Sequence, residues 1–279
     1  MQNTIKESVE ISGIGIHSGK KVIIKLLPRD ENSGIIFRSN DGSKEVQAKF
    51  DSVSSTNMST KLSNGQLTVD LVEHLMAAIW GANIDNLVVE LDSEEVPILD
   101  GSAKPFLDAI NSIGTQSQIS PRKILKVTEI IEVQEDDKYI RISPNENGLI
   151  IDMTIDFSHK LINYQKFIFC SNEQVFADLI APARTFGFVK DLEYFHNSGL
   201  ALGASLENCI GLTENGIANS ENLRFLDEFV RHKILDCIGD LFLAGYYLNC
   251  RVTAYKSGHR MNNLALRELF KDEKNYEII

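Results

Sequence analysis

The first part of the chain alternates between strand-like and helix-like hydrophobic patterns. Apolar and polar residues alternate, bounded by Gly-, Pro- and Asn-rich turns, in three segments that predict strands: VEIS, KKVIIKLL and GIIFRS. A helical pattern runs from about Val69 to Trp80, where Gly81 ends it, and the apolar run LVVEL predicts a buried strand. The segment EEVPILDGSAKPFLDAI predicts a turn and a short helix, and the polar residues 54–66 predict a small hairpin or flap.

The second part of the chain repeats this order. Residues 114–123, GTQSQISPRK, have the composition of a linker, and four strand patterns follow: ILKVTEIIEV, YIRISP, LIIDMTIDF and KFIFC. Residues 184–212 place one amphipathic helical turn between two apolar, glycine-rich stretches, which predicts an inserted β-α-β unit. A long helix over 227–245, the strand NCRVTAY and a last helix from KSGH to about Phe270 complete the chain. The pattern predicts two domains, residues 1–118 and 122–279.

Both halves carry a helix with the sequence V-x-H, VEH at 72–74 and VRH at 230–232. The order of elements around these helices is similar, although few residues are identical, which suggests an internal duplication. If the halves pack with pseudo-symmetry, the two histidine-bearing helices meet.

The long helix also carries a polar stripe. His232, Asp236 and Asp240 are spaced four residues apart, so each step advances only about 40° around the helix. Apolar residues occupy most of the opposite side: Val230, Ile234, Leu235, Ile238, Leu241 and Phe242. An imidazole nitrogen and a carboxylate oxygen one turn apart can share a divalent metal ion. The spacing fits a solvated face with an i,i+4 ion pair as well, so the metal interpretation requires a third ligand.

His74, on the helix of the first half, is the natural third ligand if the two helices meet. Two histidines and one aspartate leave a fourth position on zinc open, which is typical of a catalytic site. Glu73 lies about 100° around the helix from His74 and is placed to act as a general base. The alternative for this pair is a partly buried histidine beside a surface carboxylate.

His259 begins the last helix, where Asp240 can orient its imidazole and raise its pKa. It is therefore a candidate general acid, although a histidine at this position can also simply cap the helix. His159 and His196 have no such neighbours in the sequence and are interpreted as structural or surface residues. The role of His17 stays open.

The composition of the chain argues against several classes of function. A net charge of −11 argues against nucleic acid as the main partner, because neutralising phosphates requires a basic surface. No signal peptide and no apolar run of membrane-spanning length is present, so we expect a cytoplasmic protein. Four cysteines lack CxxC spacing and are expected to be reduced: Cys170, Cys209, Cys237 and Cys250. The residues together predict a mononuclear zinc hydrolase.

Several long motifs in order resemble the UDP-3-O-acyl-N-acetylglucosamine deacetylase family, the zinc enzymes of lipid A biosynthesis. They are GIGIHSGKKV, VEHLMAAIWGANIDNLVVEL, EVPILDGSAKPF, ARTFGF, DEFVRHKILDCIGDL and AYKSGHRMNN. The resemblance implies two α+β domains of β-α-α-β sandwich architecture with the active site between them. It also implies one Zn²⁺ on His74, His232 and Asp236, with Glu73 as base, His259 as acid and Asp240 as the partner of His259.

The same resemblance implies roles for four further residues. Thr185 matches a threonine that assists the carbonyl oxygen, and Phe186 matches an aromatic beside the sugar. Lys233 and Lys256 match basic residues at the nucleotide end, although each also fits a solvated lysine. The 184–212 insert matches an apolar passage for the acyl chain, with Phe188, Leu200, Leu202 and Ile210 as lining residues that otherwise belong to the core.

The chain departs from the family pattern at three positions. Asp70 is charged and can change how the 54–66 flap meets the helix, Lys160 stands where proline is common, and Arg260 adds a cation that can contact an anion. None of these positions is a predicted metal ligand.

The expected reaction is hydrolysis of the N-acetyl group of a UDP-3-O-(3-hydroxyacyl)-N-acetylglucosamine by a monomeric protein without a membrane span. Three alternatives stay open: a zinc amidohydrolase for another N-acetylated sugar, a non-catalytic binding protein, and a phosphohydrolase with Asp240 on a second metal. An apolar insert favours a substrate with a fatty chain.

Overall fold

The computed structural model describes residues 1–279 and has mixed helix and sheet, as expected for the α+β class. The strands of the first half are β1 (Asn3–Ile5), β2 (Val9–Ile14), β3 (Lys21–Pro28), β4 (Ile35–Ser39), β5 (Glu45–Gln47), β6 (Val53–Ser55), β7 (Lys61–Ser63), β8 (Thr68–Val69), β9 (Leu87–Leu91) and β10 (Thr115–Ser117). Those of the second half are β11 (Ile124–Val127), β12 (Ile131–Glu135), β13 (Lys138–Pro144), β14 (Leu149–Asp156), β15 (Tyr164–Cys170), β16 (Phe186–Phe188), β17 (Ile210–Leu212), β18 (Tyr247–Tyr255) and β19 (Tyr276–Ile278). The helices are α1 (Glu73–Gly81), α2 (Lys104–Ile113), α3 (Glu173–Val175, continued by a π turn over Phe176–Ile180), α4 (Leu192–Asn197), α5 (Glu228–Phe242) and α6 (His259–Leu269).

Two sheets form the outer layers. The first has five strands in the order β2-β3-β9-β4-β5, with β4 and β9 parallel and the other neighbours antiparallel. The second has seven strands around β18, which pairs with β11, β13 and β14. Along β18 buried and half-buried residues alternate strictly, as expected for a strand with one face on the core.

The helices lie between the sheets. α2 packs on β2 and on α1, α1 packs on α5, and α5 and α6 pack on strands of the second sheet. One continuous cluster of 61 buried hydrophobic residues runs through both halves. The two-domain division stays a prediction, since a shared core joins the halves.

Gly239 permits the close contact between α1 and α5. A Cβ at this position would lie 2.0 Å from the carbonyl oxygen of Glu73, so any side chain there would push the two helices apart. Glycine in a helix interior costs about 1 kcal/mol relative to alanine. Here it brings the first residues of α1 directly onto the face of α5 that carries the polar stripe.

Two predictions of local structure were wrong. α1 begins at Glu73 and not at Val69, because Val69 belongs to β8 and Leu71 has a left-handed φ of 59°, which interrupts a helix. The predicted linker at 114–123 contains β10, whose backbone pairs with β1 at the start of the chain. Its polar composition reflects an exposed edge strand.

The predicted β-α-β insert is confirmed. β16 and β17 pair in parallel, and α4 lies between them in the chain. The flap predicted at 54–66 corresponds to the small three-stranded sheet β6-β7-β8. None of the six helices combines the length and apolar character that a membrane span requires.

Candidate active site

Helix α5 directs its polar stripe at the start of α1. His232, Asp236 and Asp240 are buried, and His74 of α1 lies opposite them, with its ring centroid 5.0 Å from that of His232. Oδ1 of Asp236 is 3.4 Å from Nε2 of His232 and 3.5 Å from Nε2 of His74. The three potential ligand atoms lie within 4.8 Å of one another. The i,i+4 spacing and the meeting of the two helices therefore produce the predicted trio.

The trio has the donor chemistry of a metal site. Oδ1 of Asp236 is buried and has no hydrogen-bond partner, although such an atom is costly unless something compensates it. Burial lowers the pKa of His232 to about 3, so its imidazole is neutral and can act as a ligand. Its Nδ1 hydrogen-bonds to the Ala183 carbonyl at 3.0 Å, which leaves Nε2 facing Asp236.

Asp236 is held as a carboxylate. Burial alone would raise its pKa, but the neighbouring His232 and Lys233 outweigh this and hold the pKa well below its usual range. Nζ of Lys233 donates to Oδ2 of Asp236 at 2.6 Å. One carboxylate oxygen is therefore occupied by the lysine while the other faces the two imidazoles.

Glu73 is 2% exposed at the first position of α1. The backbone N–H of Thr60, in the flap, donates to its Oε2 at 3.0 Å, while its Oε1 lies 3.7 Å from Nε2 of His259. Burial raises the pKa of Glu73 to about 7, and the nearby imidazoles of His259 and His74 oppose that rise. Such a carboxylate is suited to accept a proton near neutral pH.

His259 is fixed by a buried network around Asp240. Its Nδ1 lies 2.8 Å from Oδ2 of Asp240, which also accepts from Nδ2 of Asn262 at 2.8 Å. Thr60 Oγ donates to the other Asp240 oxygen at 2.6 Å. Burial would lower the pKa of His259, but the carboxylates of Asp240 and Glu73 outweigh it and raise the pKa to about 10. The imidazole is therefore protonated at neutral pH, with Nε2 directed towards Glu73.

Thr185 and Phe186 enter the same cavity from the segment that precedes the insert. The backbone N–H of Thr185 donates to Gly101 O, and its carbonyl accepts from Ile210 N, each at 2.8 Å. The ring centroid of Phe186 lies 6.4 Å from that of His232, and Nζ of Lys233 lies 5.6 Å from the centroid of Phe186. Both residues line the cavity that contains His74, His232 and Asp236.

Lys256 stands apart from the buried cluster. Its Nζ lies 2.8 Å from Oδ2 of Asp137 and 3.4 Å from Oδ2 of Asp156, on an open cavity of about 580 Å³. Lys233, His259 and Arg260 line this cavity too, so it adjoins the buried site at His259. An exposed surface with charges of both signs therefore adjoins the buried residues of the site.

A second cavity, of about 430 Å³, extends from the metal trio into the insert. Its near end includes the trio, Glu73, Thr185, Phe186 and His259. Its far end is apolar and is formed by residues such as Phe188, Val189, Leu192, Phe195, Leu206 and Cys209. Of the four lining residues predicted for a passage, only Phe188 lines this cavity; Ile210 is buried in the core, and Leu200 and Leu202 lie outside the lining.

Sequence reasoning missed several residues that shape the site. Thr60 connects Glu73 to Asp240, but the flap pattern gave no reason to select it among many Ser and Thr residues. Arg184 and Glu228 form a buried ion pair with Nε to Oε1 at 2.9 Å, which attaches the ARTFGF segment to the start of α5. His17, left undecided, lines the apolar cavity with both ring nitrogens buried and unpaired.

The other histidines and the three unusual positions have structural contacts. Nε2 of His159 contacts the Thr213 carbonyl. Asp70 accepts from Ser59 Oγ at 2.5 Å and pairs with Lys61 at 2.8 Å, so it attaches the flap next to α1. Arg260 forms an ion pair with Glu135. Nε2 of His196 contacts the Ala201 carbonyl. Lys160 lies in the loop between β14 and β15, where the structure gives no reason for its replacement of proline.

The comparisons with known proteins all indicate one family. The family model described as UDP-3-O-acyl N-acetylglycosamine deacetylase (LpxC) matches residues 2–271. Proteins named UDP-3-O-acyl-N-acetylglucosamine deacetylase are 43% identical in Acinetobacter baumannii (strain AYE), 42% in Actinobacillus pleuropneumoniae serotype 3 (strain JL03) and 40% in Pseudoalteromonas atlantica. Each alignment covers 100% of this chain and 94%, 92% and 93% of these relatives, respectively.

Proposed function

Since the chain belongs to the family of UDP-3-O-acyl-N-acetylglucosamine deacetylases, we propose that it hydrolyses the N-acetyl group of UDP-3-O-(3-hydroxyacyl)-N-acetylglucosamine in lipid A biosynthesis. The products are acetate and the free-amine UDP-sugar, with the acyl chain intact. The observation that carries this proposal is one cavity lined by three side chains that are close enough to share a metal ion, by the buried carboxylate of Glu73 and by the imidazole of His259.

Zinc is the metal that we assign to His74, His232 and Asp236. Two imidazoles and one carboxylate form a donor set that zinc uses in catalytic sites. The buried, unpaired Oδ1 of Asp236 supports the assignment, because a cation supplies the compensation that it otherwise lacks. A bound Zn²⁺ supplies Lewis acidity, which polarises an amide carbonyl and lowers the pKa of water.

Glu73 is the general base. Its carboxylate takes a proton from the attacking water while the water oxygen forms a bond to the acetamide carbonyl carbon. The backbone N–H of Thr60 holds one carboxylate oxygen, so the other is free to face the water. The Thr185 hydroxyl stabilises the negative charge that develops on the carbonyl oxygen.

His259 is the general acid. Its Nε2 gives a proton to the sugar nitrogen as the C–N bond breaks, and Asp240 holds the imidazole through Nδ1. Asp240 is a positioning residue, since the hydrogen bonds of its carboxylate are to Thr60, His259 and Asn262. This environment does not favour a second metal on Asp240, which the phosphohydrolase alternative requires.

The sugar and nucleotide ends of the substrate belong on the side of Phe186, Lys233 and Lys256. Phe186 offers an aromatic face next to the metal trio, and the two lysines line the open cavity beyond His259. Their ammonium groups are suited to the anionic diphosphate. The expectations of a monomer and of a cytoplasmic location stay predictions.

Acetate release measured with matched substrates tests the proposal. The zinc-loaded protein is expected to release acetate from the acylated UDP-sugar, to lose this activity on chelation and to regain it with zinc. UDP-N-acetylglucosamine without an acyl chain is expected to react much more slowly. Equal rates on both substrates would favour a general amidohydrolase, and a protein that binds no zinc and releases no acetate would support the binding-protein alternative.

A further inference from the structure

One threonine of the flap contacts both the proposed base and the residue that holds the proposed acid. Thr60 lies just before β7 and is 1% exposed. Its backbone N–H donates to Oε2 of Glu73 at 3.0 Å, and its hydroxyl donates to Oδ1 of Asp240 at 2.6 Å. Glu73 belongs to α1 in the first half of the chain and Asp240 to α5 in the second. A single residue therefore connects the two helices at the point where the proton-transfer groups lie.

The contacts of Thr60 fix which oxygen of each carboxylate faces the site. On Glu73 the N–H occupies Oε2, so Oε1 is the oxygen near Nε2 of His259, at 3.7 Å. On Asp240 the hydroxyl is the only hydrogen-bond partner of Oδ1, which leaves Oδ2 for Nδ1 of His259, at 2.8 Å. The last torsion of a carboxylate side chain has only a broad intrinsic preference, so such contacts decide its orientation.

Thr60 acts on the site from behind these carboxylates. It lines neither the 430 Å³ cavity, which contains Glu73 and His259, nor the open cavity at Lys256. Its carbonyl accepts from the N–H of Val72 at 3.3 Å, so its three polar groups all bond within the protein. Any effect of Thr60 on the reaction therefore passes through Glu73 and Asp240 and not through contact with the substrate.

Asp70 holds the residues on both sides of Thr60. Its Oδ1 accepts from Oγ of Ser59 at 2.5 Å, and its Oδ2 pairs with Nζ of Lys61 at 2.8 Å. The backbone N–H and carbonyl of Asp70 are themselves bonded to the segment 94–96, at 2.8 and 3.0 Å. One largely buried carboxylate therefore attaches residues 59–61 to the segment that leads into α1.

We propose that Thr60 is a positioning residue for both proton transfers, which holds Glu73 and Asp240 in the orientation that the reaction requires, and that Asp70 keeps Thr60 in place. This inference rests on the proposed function, in which Glu73 is the base and His259 the acid. A misplacement of about 1 Å can slow an enzyme by about 10²-fold, so a residue that orients both groups acts on kcat. Substrate binding depends on cavities that Thr60 does not line.

Variants of two threonines in the flap sheet test this inference. Thr60→Val keeps the side-chain shape and the backbone N–H but removes the hydroxyl, and Thr60→Ser restores the hydroxyl. Thr60→Ala, which also lacks the hydroxyl, replaces Thr60→Val if that variant does not fold. Thr68→Val is the matched control, because Thr68 lies in β8 of the same small sheet and its hydroxyl contacts only Oγ of Ser63, at 3.1 Å.

Each protein is assayed for kcat and KM on the acylated UDP-sugar, with zinc content and melting temperature measured on the same preparation. Thr60→Val is expected to lower kcat by about tenfold or more with KM and zinc content unchanged, since a hydrogen bond to a charged group has an effect of this size. Thr60→Ser should retain nearly the wild-type kcat, and Thr68→Val should match the wild type.

Two further variants test how Thr60 acts. A double variant, Thr60→Val with Asp240→Asn, should lose less activity than the product of the two single losses, because the hydroxyl acts through Asp240. Asp70→Ala should lower kcat by a smaller factor than Thr60→Val, since the hydroxyl of Thr60 is still present.

Four results would overturn the role of Thr60. They are a wild-type kcat in zinc-loaded Thr60→Val, an effect on KM alone, an equal loss in Thr60→Ser, and a double variant that loses the full product. An unchanged kcat in Asp70→Ala would overturn the role of Asp70. A failure of the proposed function looks different, because the zinc-loaded wild type would then release no acetate, and the inference would fall with it.

Discussion

Two groups of charged residues lie on either side of His259 and differ in their access to water. On one side, Glu73, Asp236 and Asp240 are each 2% exposed and have fixed partners. On the other side, Lys256 and Arg260 form ion pairs on an open surface. In a buried environment a charge without a partner is costly, whereas water and salt screen a charge on the surface.

This difference separates the roles of the two groups. In the proposed reaction the buried residues hold a metal and move protons, which requires defined geometry and shifted pKa values. The exposed residues can change partners when an anionic ligand arrives, because their present pairs are weak. Substitutions on the two sides should therefore differ in size and in kind.

The largest loss is expected on the buried side from Asp236→Ala, which removes a ligand and leaves Lys233 without its partner. Zinc content should fall and acetate release should drop by at least about 10³-fold, since a metal ion supplies several kcal/mol to such a reaction. Metal analysis and acetate assays on the same preparation measure both effects. A variant that kept full zinc and full activity would remove Asp236 from the metal site.

Two arginine–glutamate pairs, one buried and one exposed, should contribute differently to the stability of the protein. Arg184→Met leaves Glu228, which is 0% exposed, without its counter-ion and is expected to destabilise the protein by about 3 kcal/mol or more. Arg260→Met removes a similar pair from the surface and should leave the unfolding midpoint unchanged. Urea denaturation of both variants measures their unfolding midpoints. Equal midpoints would contradict the expected difference between the buried and the exposed pair.

Asp240→Asn tests the electrostatic part of the buried network. If His259 is the general acid, as proposed, its protonated form is the active one, so activity should be lost as pH rises through its pKa, which is about 10 in the wild type. Removing the Asp240 charge lowers this pKa towards its usual value, so the basic limb of the pH profile should move to lower pH. We expect about a tenfold or larger loss at pH 8 with zinc retained, and an unmoved basic limb would show that Asp240 does not control His259.

On the exposed side, Lys256→Met is expected to have the smallest effect. KM for the UDP-sugar should rise by about tenfold or less with little change in kcat, because in the proposed binding mode the lysine contacts only the nucleotide end. The rise should shrink at high salt, where surface charges are screened. A loss confined to kcat would place Lys256 in the catalytic machinery instead.

The buried side was also the more predictable from the sequence. The four-residue spacing on α5 fixed His232, Asp236 and Asp240 on one face, and the repeated V-x-H pattern identified His74 as their counterpart across the helix pair. These features depend on helix geometry, which is local and regular. The β-α-β insert was predictable from a local pattern too, one amphipathic helical turn between two apolar, glycine-rich stretches.

What the sequence did not predict depends on long-range contacts. Thr60 reaches Asp240 across 180 residues, and Arg184 reaches Glu228 across 44, so no local pattern identifies these pairs. The start of α1 was missed because its position depends on the left-handed φ of Leu71, a residue type that rarely adopts it. Similarly, the pairing of β10 with β1 is visible only in the fold.

The proposed reaction depends most directly on Glu73 as the base, and the acetate-release activity of Glu73→Gln tests this role. Glutamine keeps the shape and the contact with Thr60 N–H but cannot accept a proton. We predict that the variant retains one zinc per chain and the wild-type melting temperature, while acetate release from the acylated UDP-sugar falls by about 10²-fold or more. A zinc-loaded Glu73→Gln protein with near wild-type activity would contradict the assignment of Glu73 as the base.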